Sequence, residues 1–356
     1  MLCCPTEVRA LPKKKERRQR VNDPEGTKRN IVEVGTREFA QNGFDGARVD
    51  AIANRTRTAM ATKVHGRMLV GLIGSNIGKS LSPALHEDAF AAAGMVGHYH
   101  LMDVSVLSDR RLEDLLAAAR TAGFAGLNIT HPFKETVLPL LDCLSAEAAE
   151  IGAVNTVVID KDGRTTGHNT DRSGFRHAFR EGLGEASVHG KPVLLLGAGG
   201  AGRAVAFALM DMGASLIKIR DIDTNRANGL CADLAGRFGA GHSALSNEPA
   251  AEAAAVAGIV NATPVGMQGY PGVPLDPHPI QPGQFVADVI YTPLETEFLG
   301  LARGRGARVM GGAGMCVHQA AEAFRLFTGL EPDRRRMHRT FAAAARRRDG
   351  QQPVID

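Results

Sequence analysis

Three glycines in G-x-G-x-x-G spacing, Gly197, Gly199 and Gly202, follow directly on the apolar run Val193–Leu196 and open a helical stretch. Glycines in that pattern let a backbone hold a pyrophosphate. The first makes a tight turn, the second lets the main chain approach the anion, and the third lets helix pack on strand. The spacing alone is a weak signal. Its context strengthens it, because a second apolar run, Leu216–Ile219, is followed by Asp221, 24 residues after Gly197, where a carboxylate can bond an adenine ribose 2′-hydroxyl. A bound dinucleotide is the expectation. Asp221, with Asp223 beside it, repels the 2′-phosphate of NADP, so NAD is the expected form, although Arg220 or Arg226 could pair such a phosphate.

Short polar motifs that core packing does not explain stand on both sides of this turn. Upstream are Ser80-Leu-Ser-Pro83, Asn128-Ile-Thr-His-Pro-Phe-Lys134, Ala153-Val-Asn-Thr156 and Gly167-His-Asn-Thr-Asp171. Downstream are Asn261-Ala-Thr-Pro-Val-Gly266, Tyr291-Thr-Pro293 and Gly314-Met-Cys-Val-His-Gln319. Several stand where an apolar run ends, the edge at which open α/β sheets bind ligands.

The elements that must position these groups alternate. Strands are expected at 68–74, 99–104, 126–130, 154–160, 193–197, 216–221, 259–262, 286–291 and 308–311. Amphipathic helices are expected at 83–93, 112–121, 202–212 and 225–238. This is the α/β pattern of parallel sheets covered by helices. A length of 356 residues suggests about two domains, and 44% hydrophobic, 22% charged residues and 41 glycines exclude disorder, collagen and coiled coil. No apolar run approaches the roughly 20 residues that cross a bilayer, and the basic stretch 13–20 is not followed by an apolar core as a secretory signal would be, so a cytosolic protein is expected. Five cysteines, odd in number and without metal-ligand spacing, read as reduced thiols, with no metal site.

Residues 69–342 resemble the shikimate dehydrogenase family along essentially their whole length, and within it the NAD-dependent quinate/shikimate branch, because the motifs above occur in the family's order. The resemblance implies a two-domain α/β enzyme: an N-terminal α/β substrate-binding domain of residues 69–170 plus 313–342, and a Rossmann dinucleotide-binding domain of residues 171–312. It places the catalytic acid–base pair on Lys134 and Asp171, and the substrate contacts on Ser80, Ser82, Thr130, Asn155, Tyr291 and Gln319. The nucleotide site falls on Gly197, Ala198, Gly199, Gly200, Ala201, Gly202, Asp221, Arg226, Thr263 and Gly312. The implied reaction is reversible oxidation of shikimate, and of quinate beside it. A hydride leaves carbon toward the nicotinamide while a positioned side chain takes the hydroxyl proton. Lys134 is the expected proton acceptor, with Asp171 orienting it or sharing the proton work. Hydroxyl and amide side chains suit a ring bearing several hydroxyls and a carboxylate, because they donate or accept as needed. Two serines in SLSP match shikimate-binding relatives, and Ser82 is also expected to cap the helix that Pro83 opens. The alternative readings are an NADP-dependent biosynthetic enzyme and a metabolite-sensing regulator.

The regulator reading comes from the N-terminal region. Residues 1–68 hold 15 Lys/Arg against 8 Asp/Glu, leaving 27 against 30 for the remainder, so the net charge of +4 belongs to the extension. Residues 1–22 read as a disordered basic tail. Residues 23–67 are expected to be helical, and 23–58 resemble the start of a TetR-type helix-turn-helix. The groove-reading second helix does not follow, so nucleic-acid binding is not expected. Met60 and Met68 are alternative starts. A small-molecule substrate is the expected partner, no membrane is, and a homodimer is allowed.

Overall fold

The central strand of the second half of the chain, Val193–Leu196, is apolar on both faces, which requires cover on both sides. The structure, a computed structural model describing residues 66–107 and 109–349, supplies it. In chain order the elements are β1 (Arg67–Gly74), α1 (Ser82–Ala92), β2 (Val96–Asp103), α2 (Leu112–Thr121), β3 (Gly126–Ile129), β4 (Cys143–Leu144), α3 (Ala146–Ile151), β5 (Thr156–Ile159), β6 (Thr165–His168) and α4 (Asp171–Gly182). Then follow β7 (Pro192–Leu196), α5 (Gly200–Asp211), β8 (Leu216–Arg220), α6 (Thr224–Phe238), β9 (Ser243–Leu245), α7 (Pro249–Ala253), β10 (Gly258–Asn261), β11 (Phe285–Asp288), α8 (Glu297–Gly304), β12 (Arg308–Met310), α9 (Ala313–Thr328) and α10 (Arg334–Arg348). The expectations for residues 1–22, and for 23–67 except its last two residues, fall outside the described part. No helix among the described residues is long and apolar enough to cross a membrane.

Two six-stranded sheets result. The second runs β12-β11-β10-β7-β8-β9 with every pairing parallel, so its strands, numbered along the chain, lie in the 6-5-4-1-2-3 order of the Rossmann fold. Its order reverses between β7 and β10, where the glycine turn emerges. The first sheet runs β2-β1-β3-β5-β6-β4 and is mixed: β5 pairs antiparallel with β3 and β6, a departure from the parallel expectation. The antiparallel step is local, because the short β5–β6 connection, residues 160–164, has no room for the helical crossover a parallel pair requires.

Helix ends follow side-chain chemistry. Ser145, Asp223, Thr296 and Asp333 each accept a backbone N–H in the first turn of α3, α6, α8 and α10. Ser82 does not cap α1. It is the first helical residue, and Ser80 Oγ instead accepts the N–H of Ser82 at 3.3 Å.

Two aromatic cores hold the sheets. Phe90, Phe324, Phe327 and Phe341 pack α1, α9 and α10 against the first sheet, and Phe175, Phe179, Phe207 and Phe285 pack α4 and α5 against the second. The chain passes between the sheets twice, through α4 and again through α9, and these two helices touch closely. A Cβ on Gly174 would lie 3.0 Å from the Gln319 nitrogen, and one on Gly314 would lie 3.0 Å from Ala178 Cβ. Beside them Arg172 forks onto Asp211 (2.8 and 2.7 Å), reaches Glu150 at 2.5 Å and covers the Phe207 ring at 5.3 Å. One guanidinium thus ties α3, α4 and α5 together.

His86 sits at the centre of the first core. It is fully buried and stacked on Tyr99 at 4.7 Å, and neither ring nitrogen has a hydrogen-bond partner. Burial drives its imidazole down from 6.5 to about 3. The unfolded chain therefore takes up a proton that the folded chain refuses, and the stability this group contributes above pH 6.5 is lost as pH falls toward 3. Acidification from pH 7 to pH 5 should cost about 2 kcal/mol through this residue. Urea unfolding at both pH values should show that loss in the native protein and a correspondingly smaller one in His86→Phe; equal losses would contradict the assignment.

Candidate functional site

Lys134 is brought to the site by its backbone. After β3 the chain turns through Thr130–Phe133, and the carbonyl of Lys134 accepts the N–H of Val154 at 2.8 Å, pinning the loop to the segment that leads into β5. Asp171 is the first residue of α4. Asn169 Oδ1 accepts the amides of Asp171 and Arg172 at 3.1 and 3.2 Å, satisfying two of the donors a helix start leaves free, while Asn169 Nδ2 holds Ala153 O at 2.9 Å. A carboxylate is favoured in that first turn by the helix dipole.

The two side chains meet. Lys134 Nζ lies 2.5 Å from Asp171 Oδ2, with side-chain exposures of 17% and 6%, so the pair is largely withdrawn from water. Asn155 Nδ2 donates to the other oxygen, Asp171 Oδ1, at 2.9 Å, and also to Thr170 Oγ1 at 2.9 Å. Gln319 Oε1, on α9, lies 3.4 Å from both Asn155 Nδ2 and Thr170 Oγ1, and Gln319 Nε2 donates to Cys316 O. Lys134, Asp171, Asn155 and Gln319 therefore converge as anticipated.

Ser80, Ser82 and Tyr291 form the adjoining wall. Burial pushes the phenols of Tyr99 and Tyr291 above their usual value, with Ser82 beside the first and Ser80 beside the second, so both stay protonated. Burial likewise pushes the Cys316 thiol to about 12, leaving it a packing group. Thr130 stands where β3 ends, its methyl against Gly74. His131, which loses water contact and faces the positive Lys134 and Arg226, is held below the ordinary imidazole value.

Three residues that sequence reasoning did not single out complete the network. Tyr99 donates to Asn128 Oδ1 at 2.8 Å, and Asn128 Nδ2 donates to Asn155 O and Thr156 Oγ1, so a buried chain runs from β2 to the Asp171 carboxylate. Asn128 lay within a motif already noted; Tyr99, in the middle of a strand, carried no local signal.

The glycine turn abuts this cluster. A Cβ on Gly200 would lie 2.7 Å from Lys134 Cβ, and one on Gly202 would lie 2.0 Å from the Gly197 carbonyl oxygen. Gly197 has φ +98°, the left-handed region that glycine tolerates. Helix α5 has no side-chain cap, so its first amides are free for an anion. Asp221 Oδ2 accepts the Ala198 N–H at 2.7 Å, which fixes the carboxylate beside the turn. Thr263 lies against Gly197, its Oγ1 and N–H both donating to Asn261 Oδ1, and Arg226 reaches to within 3.7 Å of a Cβ placed on Gly199. Ala201 lies in the same first turn. Gly312, by contrast, packs against Val289 and Ile290 and donates to Ile290 O, on the Tyr291 side of the site. A turn that admits only glycine at Gly197, Gly200 and Gly202, uncapped amides and a fixed carboxylate fit a dinucleotide.

Known proteins resemble this chain in sequence and in fold. The family model described as shikimate dehydrogenase substrate binding domain matches residues 72–157, and that for the shikimate 5′-dehydrogenase C-terminal domain matches residues 312–340. The chain is 47% identical over 283 residues to a quinate/shikimate dehydrogenase (NAD(+)) of Corynebacterium efficiens, covering 78% of this chain and 98% of that one. It is 48% identical over 273 residues to a shikimate dehydrogenase (NADP(+)) of Streptomyces avermitilis, covering 76% and 93%. In three dimensions it resembles quinate dehydrogenase from Corynebacterium glutamicum in complex with NAD, with TM-score 0.72, 44% identity and coverage of 78% and 100%.

The contact at Gly202 generates a direct test. Gly202→Ala should keep its circular-dichroism spectrum yet lose calorimetric NADH binding, because its methyl cannot share space with the Gly197 carbonyl; undiminished binding would disprove the role of the turn.

Proposed function

The chain belongs to the shikimate dehydrogenase family, and from that premise we propose that it is an NAD-dependent dehydrogenase interconverting shikimate with 3-dehydroshikimate and quinate with 3-dehydroquinate. The observation that carries this reading is the 2.5 Å Lys134–Asp171 pair set directly against the glycine turn. Bound NAD supplies the hydride acceptor. The chain's own residues must hold the ring and move one proton.

In the oxidative direction the substrate hydroxyl comes up beside the Lys134–Asp171 contact, within reach of both groups. The pair as a unit takes up the hydroxyl proton as the hydride departs: one ammonium proton passes across the 2.5 Å contact to Asp171, and Lys134 Nζ, thereby neutral, accepts the proton of the hydroxyl. An adjacent carboxylate favours the ammonium, so the pair can also divide the proton between them. In the reductive direction Lys134 Nζ returns the proton to the forming alkoxide. Asn155, by binding one oxygen of Asp171, leaves the other facing Lys134, and so sets which lone pairs remain for substrate. Ser80, Ser82, Thr130, Tyr291 and Gln319 take the remaining hydroxyls and the carboxylate. Residues 69–170 with 313–342 form the substrate domain in this reading, and 171–312 the nucleotide domain. The reading also holds a cytoplasmic location, with which the unpaired thiols of Cys143, Cys231 and Cys316 agree.

NAD is favoured over NADP by the fixed carboxylate of Asp221 at the ribose position, since a 2′-phosphate there would face a like charge costing several kcal/mol. Two outcomes are expected. Lys134→Ala should lower kcat for shikimate oxidation by about 10²–10⁴-fold while leaving NAD affinity intact, followed by NADH absorbance; full activity would refute the assignment. Asp221→Ala should reduce the NAD-over-NADP ratio of kcat/KM by about tenfold or more, and a native enzyme already preferring NADP would overturn the cofactor reading.

A further inference from the structure

Away from the cleft, Glu181 near the end of α4, His318 on α9 and His338 on α10 bring three ligand-type atoms within 4.8 Å of one another, the one such group of three among the described residues. His318 Nε2 lies 3.0 Å from Glu181 Oε2, and the His318 and His338 rings meet edge-on at 5.1 Å. His177, stacked on His318 at 5.4 Å with its Nδ1 on Ser173 O, walls the other side. We propose that Glu181, His318 and His338 form a binding site for a divalent transition metal of the zinc class, outside the catalytic cleft.

The chemistry of the three groups supports this choice. Two imidazoles and one carboxylate suit Zn²⁺ and its neighbours and are a poor set for Mg²⁺ or Ca²⁺, which need oxygen shells. Ligand atoms about 2.1 Å from a tetrahedral zinc lie about 3.4 Å from each other. The His318–Glu181 edge is already near that length, and a side-chain rotation of half-buried His338 closes the rest. His318 Nδ1 makes no hydrogen bond. Tight sites give that second nitrogen a partner, and lacking one typically weakens binding by about 10–100-fold, so the expected affinity is on the order of micromolar rather than that of a structural zinc.

The metal would clamp α10 onto the α4–α9 pair. Those helices carry Asp171 at the start of α4 and Gln319 next to His318, so the clamp grips the back of the elements that present both groups to the site.

The test uses the untagged enzyme titrated with ZnCl₂ by calorimetry, and with Co²⁺ by visible absorption. The expected result is one site per chain with a micromolar Kd, a higher melting temperature at saturation, and visible cobalt bands of low coordination number. His338→Ala and Glu181→Gln should each weaken binding at least about tenfold and abolish the melting shift, while His177→Ala should do neither. Both principal variants alter side chains at or near the surface, so their melting temperatures without metal should match the native enzyme. Absence of stoichiometric binding up to about 100 µM, or binding that survives both principal substitutions, overturns the proposal; the second outcome would place the metal at other surface histidines.

Discussion

An ammonium and a carboxylate largely withdrawn from water are costly to hold, and the short contact between Lys134 and Asp171 is the constraint around which the rest of the structure is arranged. Neither group could be hidden alone. Each comes from a different connection of the first sheet, so their meeting requires the β3 exit loop and the start of α4 to be fixed relative to one another. Backbone bonds do this on one side, through Val154 and the Lys134 carbonyl. Asn169 and Asn155 do it on the other, one anchoring the helix start and the other saturating the second carboxylate oxygen.

The polar chain behind the pair extends that constraint. Tyr99, Asn128, Thr156 and Thr170 are buried or nearly so, and each finds a partner, as groups removed from water must. A single unsatisfied member would loosen the carboxylate. The amide of Gln319 enters the same network from a helix almost 150 residues further along, one that also packs on the first sheet.

Much of this was legible in the sequence, for reasons that differ by element. The glycine turn announces itself because backbone geometry admits only glycine at a left-handed turn and at a helix–strand contact. The second sheet's central strands β7, β10 and β11 announce themselves because burial on both faces leaves continuous apolar runs. The Lys134–Asp171 cluster was reached through motif order rather than periodicity, since a lone lysine or aspartate carries no local signal. What stayed hidden was long-range or short. Strands β4, β6 and β9 span two to four residues, too few for a period. The polar start of α4 conceals a helix beginning at Asp171. Tyr99 looks like any strand aromatic until Asn128 lies opposite. Glu181, His318 and His338 are scattered over more than 150 residues, so no ligand spacing exists to be read.

The double passage of the chain between the sheets has a mechanical consequence. A molecule joined through two helices packed glycine against neighbour cannot swing on a single tether; it can only flex about that pair as an axle. Asp171 and Gln319 ride on the axle itself, and the Lys134 loop is tied to Asp171 through the 153–155 segment, whereas the glycine turn stands off it. Flexing about that axle would move the nucleotide turn while the amine and the carboxylate, both tied to the 153–155 segment, stay together.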